Sequence, residues 1–269
     1  MAVRGRLRVL LGAAPGVGKT YAMLDEGKHL RAGGSDVVIA VVETHGRAAT
    51  AAMTEGMEVI PRHYVECRGI ELPEMDLDGV LAQHPDVALV DELAHTNAPG
   101  SRNEKRWQDV EELLEAGIDV ISTVNIQHIE SLNDVVEQIT GVPQRETVPD
   151  TVLRRASQVE VVDLAPQALR DRLSSGKVYP AERIDAALSN YFRLGNLTAL
   201  RELALLWVAD EVDHALADYR SEHGIDSRWE ARERVVVALT GGREGETLLR
   251  RGARIAVRAG GGELSLMHI

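Results

Sequence analysis

Apolar residues gather first into short, largely apolar runs and only later into helical spacing. Runs at residues 7–11, 37–42, 87–90, 119–124 and 159–164 are of strand length, and the first four end in Gly12, Glu43, Asp91 and Asn125. Short apolar runs without alternation are the mark of strands covered on both faces. Helix-spaced segments separate them, at residues 21–30, 77–83, 103–116 and 131–140. Asn103 reads as the cap of the third of these, Trp107 as a packing residue and Gly117 as its stop. This alternation predicts an α/β fold with a mostly parallel, doubly wound sheet. Residues 60–73 are less regular, with a short strand around Tyr64, Val65 and Glu66.

From Pro166 the pattern turns helical. One segment covers residues 180–192. A longer one carries Leu197, Leu200, Ala204, Val208, Val212, Ala215 and Tyr219 at three- and four-residue spacing. That stripe either packs on the sheet domain or meets a partner helix. Residues 221–233 are charged and poor in helix formers, the composition of a linker. A strand at 235–239, a helix at 247–259 and a strand at 264–269 then form a single βαβ unit. One such unit cannot bury both faces of its sheet, so it reads as the opening of a larger domain that continues beyond the chain.

The strand tips carry the candidate chemistry, because open α/β sheets bind ligands at the carboxyl ends of their strands. The first run breaks into Gly12-Ala13-Ala14-Pro15-Gly16-Val17-Gly18-Lys19-Thr20 and leads directly into a helix. A loop of this kind turns its N–H groups around a phosphate, and the helix adds its positive end. Gly16, Val17, Gly18, Lys19 and Thr20 are therefore the candidate nucleotide-binding residues, with Lys19 reaching the β- and γ-phosphates and Thr20 ligating Mg²⁺. The usual motif opens with Gly where this chain has Ala13, a mild departure. Downstream, the run at 87–90 ends in Asp91-Glu92. Asp91 is the second candidate Mg²⁺ ligand, and Glu92 is the candidate catalytic residue that would orient an attacking water. Glu43, His45 and Arg47 end another strand, either as part of the site or as a solvated loop. His95 lies on a polar loop of the same edge. His128 has no companion ligands at metal spacing.

Composition narrows the rest. The 269 residues include 44% hydrophobic and 27% charged residues, ordinary values for a globular protein. A net charge of −12 argues against a nucleic-acid partner, since duplex binding rests on Lys and Arg neutralising phosphates. The single cysteine, Cys67, excludes an intramolecular disulfide and any multi-cysteine metal site. With no secretory-type leader and no run of 18 apolar residues, the chain reads as cytoplasmic, without a membrane span of its own.

Several stretches together carry a more specific signal. The phosphate loop, Glu43-Thr44-His45-Gly46-Arg47, Val90-Asp91-Glu92-Leu93-Ala94-His95-Thr96-Asn97, Asn125-Ile126-Gln127-His128 and Gly195-Asn196-Leu197-Thr198-Ala199-Leu200-Arg201-Glu202-Leu203 resemble the KdpD family. So does the segment from Lys105 to Leu114. These are potassium-responsive sensor histidine kinases of bacterial two-component systems, and the likeness runs through about residues 5–220. It departs at Asn103, where the family more often has His.

The resemblance implies an ATP- and Mg²⁺-binding cytoplasmic sensor region with a P-loop NTPase-like fold. Its implied partners are the nucleotide, the remaining domains of a membrane-anchored kinase, and a second copy through a kinase homodimer. Residues 235–269 are similar to the start of the universal-stress-protein-like domain of that family. The expected organisation is a nucleotide-binding domain at 1–165, a helical extension at 166–222, a linker at 223–234 and the opening of that second domain at 235–269. No phospho-accepting His box or kinase core lies within the 269 residues. The alternative is a P-loop ATPase or small-molecule phosphotransferase, with Glu92 or His95 positioning the nucleophile.

Overall fold

A computed structural model describes residues 3–175, 188, 190–225, 235–239, 242, 244–258 and 264–268. The chain divides into two compact units, Met1–Asp213 and His214–Ile269.

The first unit is built on a parallel sheet of six strands: β1 (Leu7–Gly12), β2 (Val37–Val41), β3 (Glu58–Val59), β6 (Val87–Val90), β7 (Asp119–Asn125) and β8 (Gln158–Val162). Their order across the sheet is β3-β2-β6-β7-β1-β8. The five expected runs are all strands of it. The sixth, β3, is two exposed residues and leaves no apolar signature. Between β3 and β6 the chain makes an antiparallel hairpin of β4 (His63–Cys67) and β5 (Ile70–Glu74). Only β4 has a counterpart in the sequence pattern, because most of both strands is exposed.

The helices of this unit are α1 (Lys19–Ala32), α2 (Ala48–Thr54), α3 (Leu77–Gln83), α4 (Arg106–Glu115), α5 (Asn133–Thr140), α6 (Asp150–Arg154) and α7 (Pro166–Ser174). A long α8 (Leu194–His223) follows them. Both faces of the sheet are covered, as unbroken apolar strands require. On one side Leu7, Val9 and Leu11 of β1 pack into a cluster with Val110 and Leu113 of α4 and Leu200 and Ala204 of α8. On the other, Leu10, Ile39, Leu89 and Ile121 pack with Met23 and Leu24 of α1.

Three expectations change. Asn103 does not cap α4: Lys105 holds the N-cap position, and Asn103 Nδ2 donates instead to Asp109 Oδ1 and Glu112 Oε1 at 2.9 and 2.7 Å. The α8 stripe packs on the sheet cluster only as far as Val208, with Trp207 buried beside it, whereas Val212 and Tyr219 are exposed. The helix reaches His223, into the stretch whose composition reads as linker. The helix expected at 180–192 and residues 226–234 of the linker lie largely or wholly outside the described residues. Arg201 ties α8 to the end of β8, its Nε donating to Asp163 Oδ1 at 2.8 Å.

In the second unit β9 (Val235–Leu239) and β10 (Leu264–His268) pair in parallel around α9 (Gly245–Arg258), the βαβ unit read from the sequence. Gly252 lets the helix approach the strands, since a Cβ there would come 2.3 Å from Val237 Cγ2. Among the described residues, no helix is long and apolar enough to cross a membrane.

Candidate functional site

The tips of β1, β7 and β6 stand side by side and bring three distant sequence segments to one edge. After β1 the loop turns through Gly16 and Gly18, with φ of 92° and 114°, a backbone region that disfavours any side chain. Gly18 is the N-cap of α1 and supplies no side-chain acceptor, and the first turn of the helix holds no acidic residue. Among the described residues, no carbonyl accepts from the N–H groups of Gly16, Val17, Gly18 or Lys19. The positive end of α1 is thus left open to an anion.

Lys19 folds back over the loop. Its Nζ donates to Asn125 Oδ1 at the tip of β7, and among the described residues it forms no ion pair. Burial lowers its pKa from 10.5 to about 8, against the pull of Asp91. A buried ammonium whose partner is a neutral amide is electrostatically unsatisfied, which suits an anion arriving beside it. Gly12 makes the space: a Cβ there would come 2.6 Å from Val17 Cγ2 and 2.9 Å from Lys19 Cδ. The motif's displaced first glycine therefore has a steric role one place early, at Gly12, while Ala13 is buried in the core.

Asp91 follows β6 and is 1% exposed. Its Oδ1 accepts from Thr20 Oγ1 at 3.3 Å, from Thr123 Oγ1 and from Glu92 N, and its Oδ2 accepts from Glu43 N at 3.2 Å. Burial, reinforced by the charge of Glu92, raises its pKa despite those bonds. The Thr20 hydroxyl and the Asp91 carboxylate, both hard oxygen donors, thus stand together as Mg²⁺ would need them.

Glu92 and His45 both adopt left-handed backbone conformations, φ 57° and 48°. Such strain at non-glycine residues is held only where surrounding structure fixes it. Here the two side chains meet, His45 Nε2 lying 3.0 Å from Glu92 Oε1. Burial works against the Glu92 charge, but His45 outweighs it and the Glu92 pKa falls. The same contact raises the pKa of His45. Glu43 also belongs here, through its N–H to Asp91 and through Oε1, which accepts from Arg62. The polar cluster after β2 is therefore joined to the site and is not an independent loop.

Behind Asp91 lies a polar group that the sequence pattern did not single out. Arg106, 1% exposed, opens α4; its Nη1 donates to Asp91 O at 3.0 Å and its Nη2 to Glu74 Oε2 at 3.4 Å. Glu74, at the end of β5, also accepts from Ala98 N at 2.7 Å and from His95 Nε2 at 3.1 Å. His95 is thereby held by the hairpin while still bordering the recess in front of Asp91. Arg at a helix start reads in sequence as a surface residue; the hints otherwise are its place after a polar loop on the ligand edge and within the Lys105–Leu114 segment that carries the family resemblance.

These groups surround a recess open to solvent, bordered by Gly16, Lys19, Thr20, Asp91, Glu92 and Asn125. All the sequence-predicted site residues except Val17 and Gly18 border it, and these two lie within the loop. His128 also borders it, and its Nδ1 bonds to Glu146 O at 2.8 Å. Among the described residues, no group of three or more His, Cys, Asp and Glu side chains could hold a metal ion.

Residues 3–212 match the family described as KdpD, the osmosensitive K⁺ channel His kinase sensor domain. The chain belongs to the KdpD family. Proteins named Sensor protein KdpD are 65% identical to it over 266 residues in Mycobacterium tuberculosis (strain H37Rv) and 67% over 263 residues in Rathayibacter rathayi. These alignments cover 99% and 97% of this chain and 31% of each relative. The relative of that name in Escherichia coli K12 is 53% identical over 257 residues, 96% of this chain and 29% of its own length. The chain thus spans about a third of the length of these three relatives. The KdpD match encloses the whole recess and its supporting Arg106–Glu74 pair, and it stops before β9.

Proposed function

We propose that this region binds ATP with Mg²⁺ and works as a nucleotide-controlled switch within a KdpD-type sensor histidine kinase that responds to potassium limitation or osmotic stress. In this reading it is the cytoplasmic portion of a membrane-anchored kinase, and its partners are the other domains of that protein. The observation that carries it is the convergence, at one sheet edge, of a glycine loop whose N–H groups meet no carbonyl among the described residues, an ammonium that forms no ion pair among them, and the paired oxygens of Thr20 and Asp91. Lys19 would contact the β- and γ-phosphates, and Thr20 and Asp91 would hold Mg²⁺. The metal would supply charge neutralisation of the phosphate oxygens.

A titration of purified protein with ATP·Mg²⁺ tests the assignment. Lys19→Ala should weaken binding by about 1.5–3 kcal/mol, roughly tenfold to a hundredfold in Kd, through loss of a charge-assisted contact. Unchanged affinity would remove the phosphate loop from consideration.

A second reading, turnover of ATP at this site, is favoured by one feature. Glu92 is strained, ionised and fixed by His45 beside Asp91, the arrangement that orients a water for attack. Glu92→Gln separates the two. If wild-type protein hydrolyses ATP and the variant loses at least about a hundredfold of that rate while binding persists, the site is an ATPase. Binding with no turnover in either leaves the switch.

A further inference from the structure

The trough along the phosphate loop has two lobes, and the reading above uses one. The larger is the recess in front of Asp91. The smaller is a shallow, open lobe that lies past the turn into α1 and is bordered by Gly18, Lys19, Thr20, Tyr21, Thr50 and Arg172. Gly16, Lys19, Thr20 and Arg47 border both lobes, so the two meet along the loop itself.

Arg172 reaches this lobe from α7, far along the chain from every motif that marks the site. The apolar face of α7 is seated on the loop: Leu169 and Leu173 are 1% and 0% exposed and cluster with Ala14 and Val17. Arg172 lies next to Leu173 and three residues after Leu169, so the same docking that buries them sets its position. A methyl group built on Gly18 would lie 3.6 Å from Arg172 Nη1. The neighbouring Arg170 is engaged, donating to Leu188 O at 3.2 Å and to Phe192 O. By contrast, the Arg172 guanidinium, half-buried, has no hydrogen bond or ion pair among the described residues. A planar cation in this state fits a phosphate bidentately.

We infer, resting on the ATP reading, that the smaller lobe takes the α-phosphate end of a nucleoside di- or triphosphate and that Arg172 is the residue that grips it. The terminal phosphates occupy the lobe at Lys19 and Asp91, and the chain of phosphates runs along the loop toward Arg172. The site then distinguishes a nucleotide from pyrophosphate, which fills the first lobe alone. It also makes α7 sensitive to occupancy, because the helix that carries Arg172 is packed on the loop that carries the ligand.

The test is calorimetric titration of the full chain with ATP, ADP and pyrophosphate, each with Mg²⁺. Arg172→Ala should weaken ATP and ADP by about tenfold or more, leave pyrophosphate unchanged, and leave the thermal midpoint of the unligated protein unchanged. Arg172→Lys should recover part of the loss, as a point charge replacing a fork. Unchanged ATP affinity in the alanine variant overturns the role of Arg172, and so does an equal loss for pyrophosphate. Wild-type protein that binds none of the three overturns the ATP reading, and this inference with it. Wild-type binding of ATP with an indifferent Arg172 overturns this inference alone.

Discussion

Replacing Arg106 with alanine should destabilise the fold by about 3–5 kcal/mol, the usual effect of leaving one partner of a buried ion pair uncompensated. The guanidinium is 1% exposed and bridges Asp91 O and the Glu74 carboxylate, so its removal takes the donor from a buried carbonyl and one counter-charge from Glu74, which keeps Ala98 N–H and His95. Urea unfolding of wild type and variant measures the loss. Glu74→Gln keeps an acceptor for Ala98 N–H while removing the charge, and combining it with Arg106→Met should cost less than the sum of the two single changes. Strict additivity would mean that the two side chains stabilise independently.

The same pair sets an acid limit. Burial pushes the Glu74 pKa up, but the His95 hydrogen bond and charge, Ala98 N–H and Arg106 outweigh it, and the value falls below the usual 4.5. A carboxyl group lowered in the folded state contributes stability that is complete above its unfolded pKa and is lost as pH falls through the folded one. Stability should therefore decline below about pH 4.5, and the decline should be shallower in Glu74→Gln. Equal slopes in the two proteins would place the acid-sensitive group elsewhere.

How much of this was legible in the sequence depends on how local each feature is. The strands β1, β2, β6 and β7 could be read because parallel strands buried on both faces write largely apolar runs; β8, a part-exposed edge strand, showed only through Val159, Val161 and Val162. The glycine loop after β1 could be placed because its parts are consecutive, and Asp91 and Glu92 could be placed at the same edge because they end a strand. The supporting contacts are of another kind. Lys19 meets Asn125 across 106 positions, Thr123 meets Asp91 across 32, and Arg106 meets Glu74 across 32. No periodicity records such pairings; the first two exist only once β7 lies between β1 and β6, and the third only once the β4–β5 hairpin meets the start of α4. The hairpin and β3 were faint for the opposite reason, since exposed strands bury too little apolar surface to show a pattern.

Replacing Asp91 with asparagine should abolish the gain in ATP affinity that Mg²⁺ brings, a loss of about 1.5–3 kcal/mol for a charge-assisted contact. Wild-type protein should bind ATP more tightly with Mg²⁺ than with EDTA, and the variant equally in both. A full Mg²⁺ effect in the variant would show that another group holds the metal. The substitution also carries a structural cost that has to be separated from the functional one. Backbone N–H groups approach both carboxylate oxygens, Glu92 N at Oδ1 and Glu43 N at Oδ2. An amide has one acceptor oxygen, so whichever way it turns, an NH₂ group faces an N–H donor, at about 1–3 kcal/mol of stability. Thr123→Val provides the control. It removes the hydroxyl that donates to Asp91 and accepts from Glu92 N, so it loosens the same buried cluster while leaving the carboxylate in place. Both variants should lose stability, and only Asp91→Asn should lose the response to Mg²⁺.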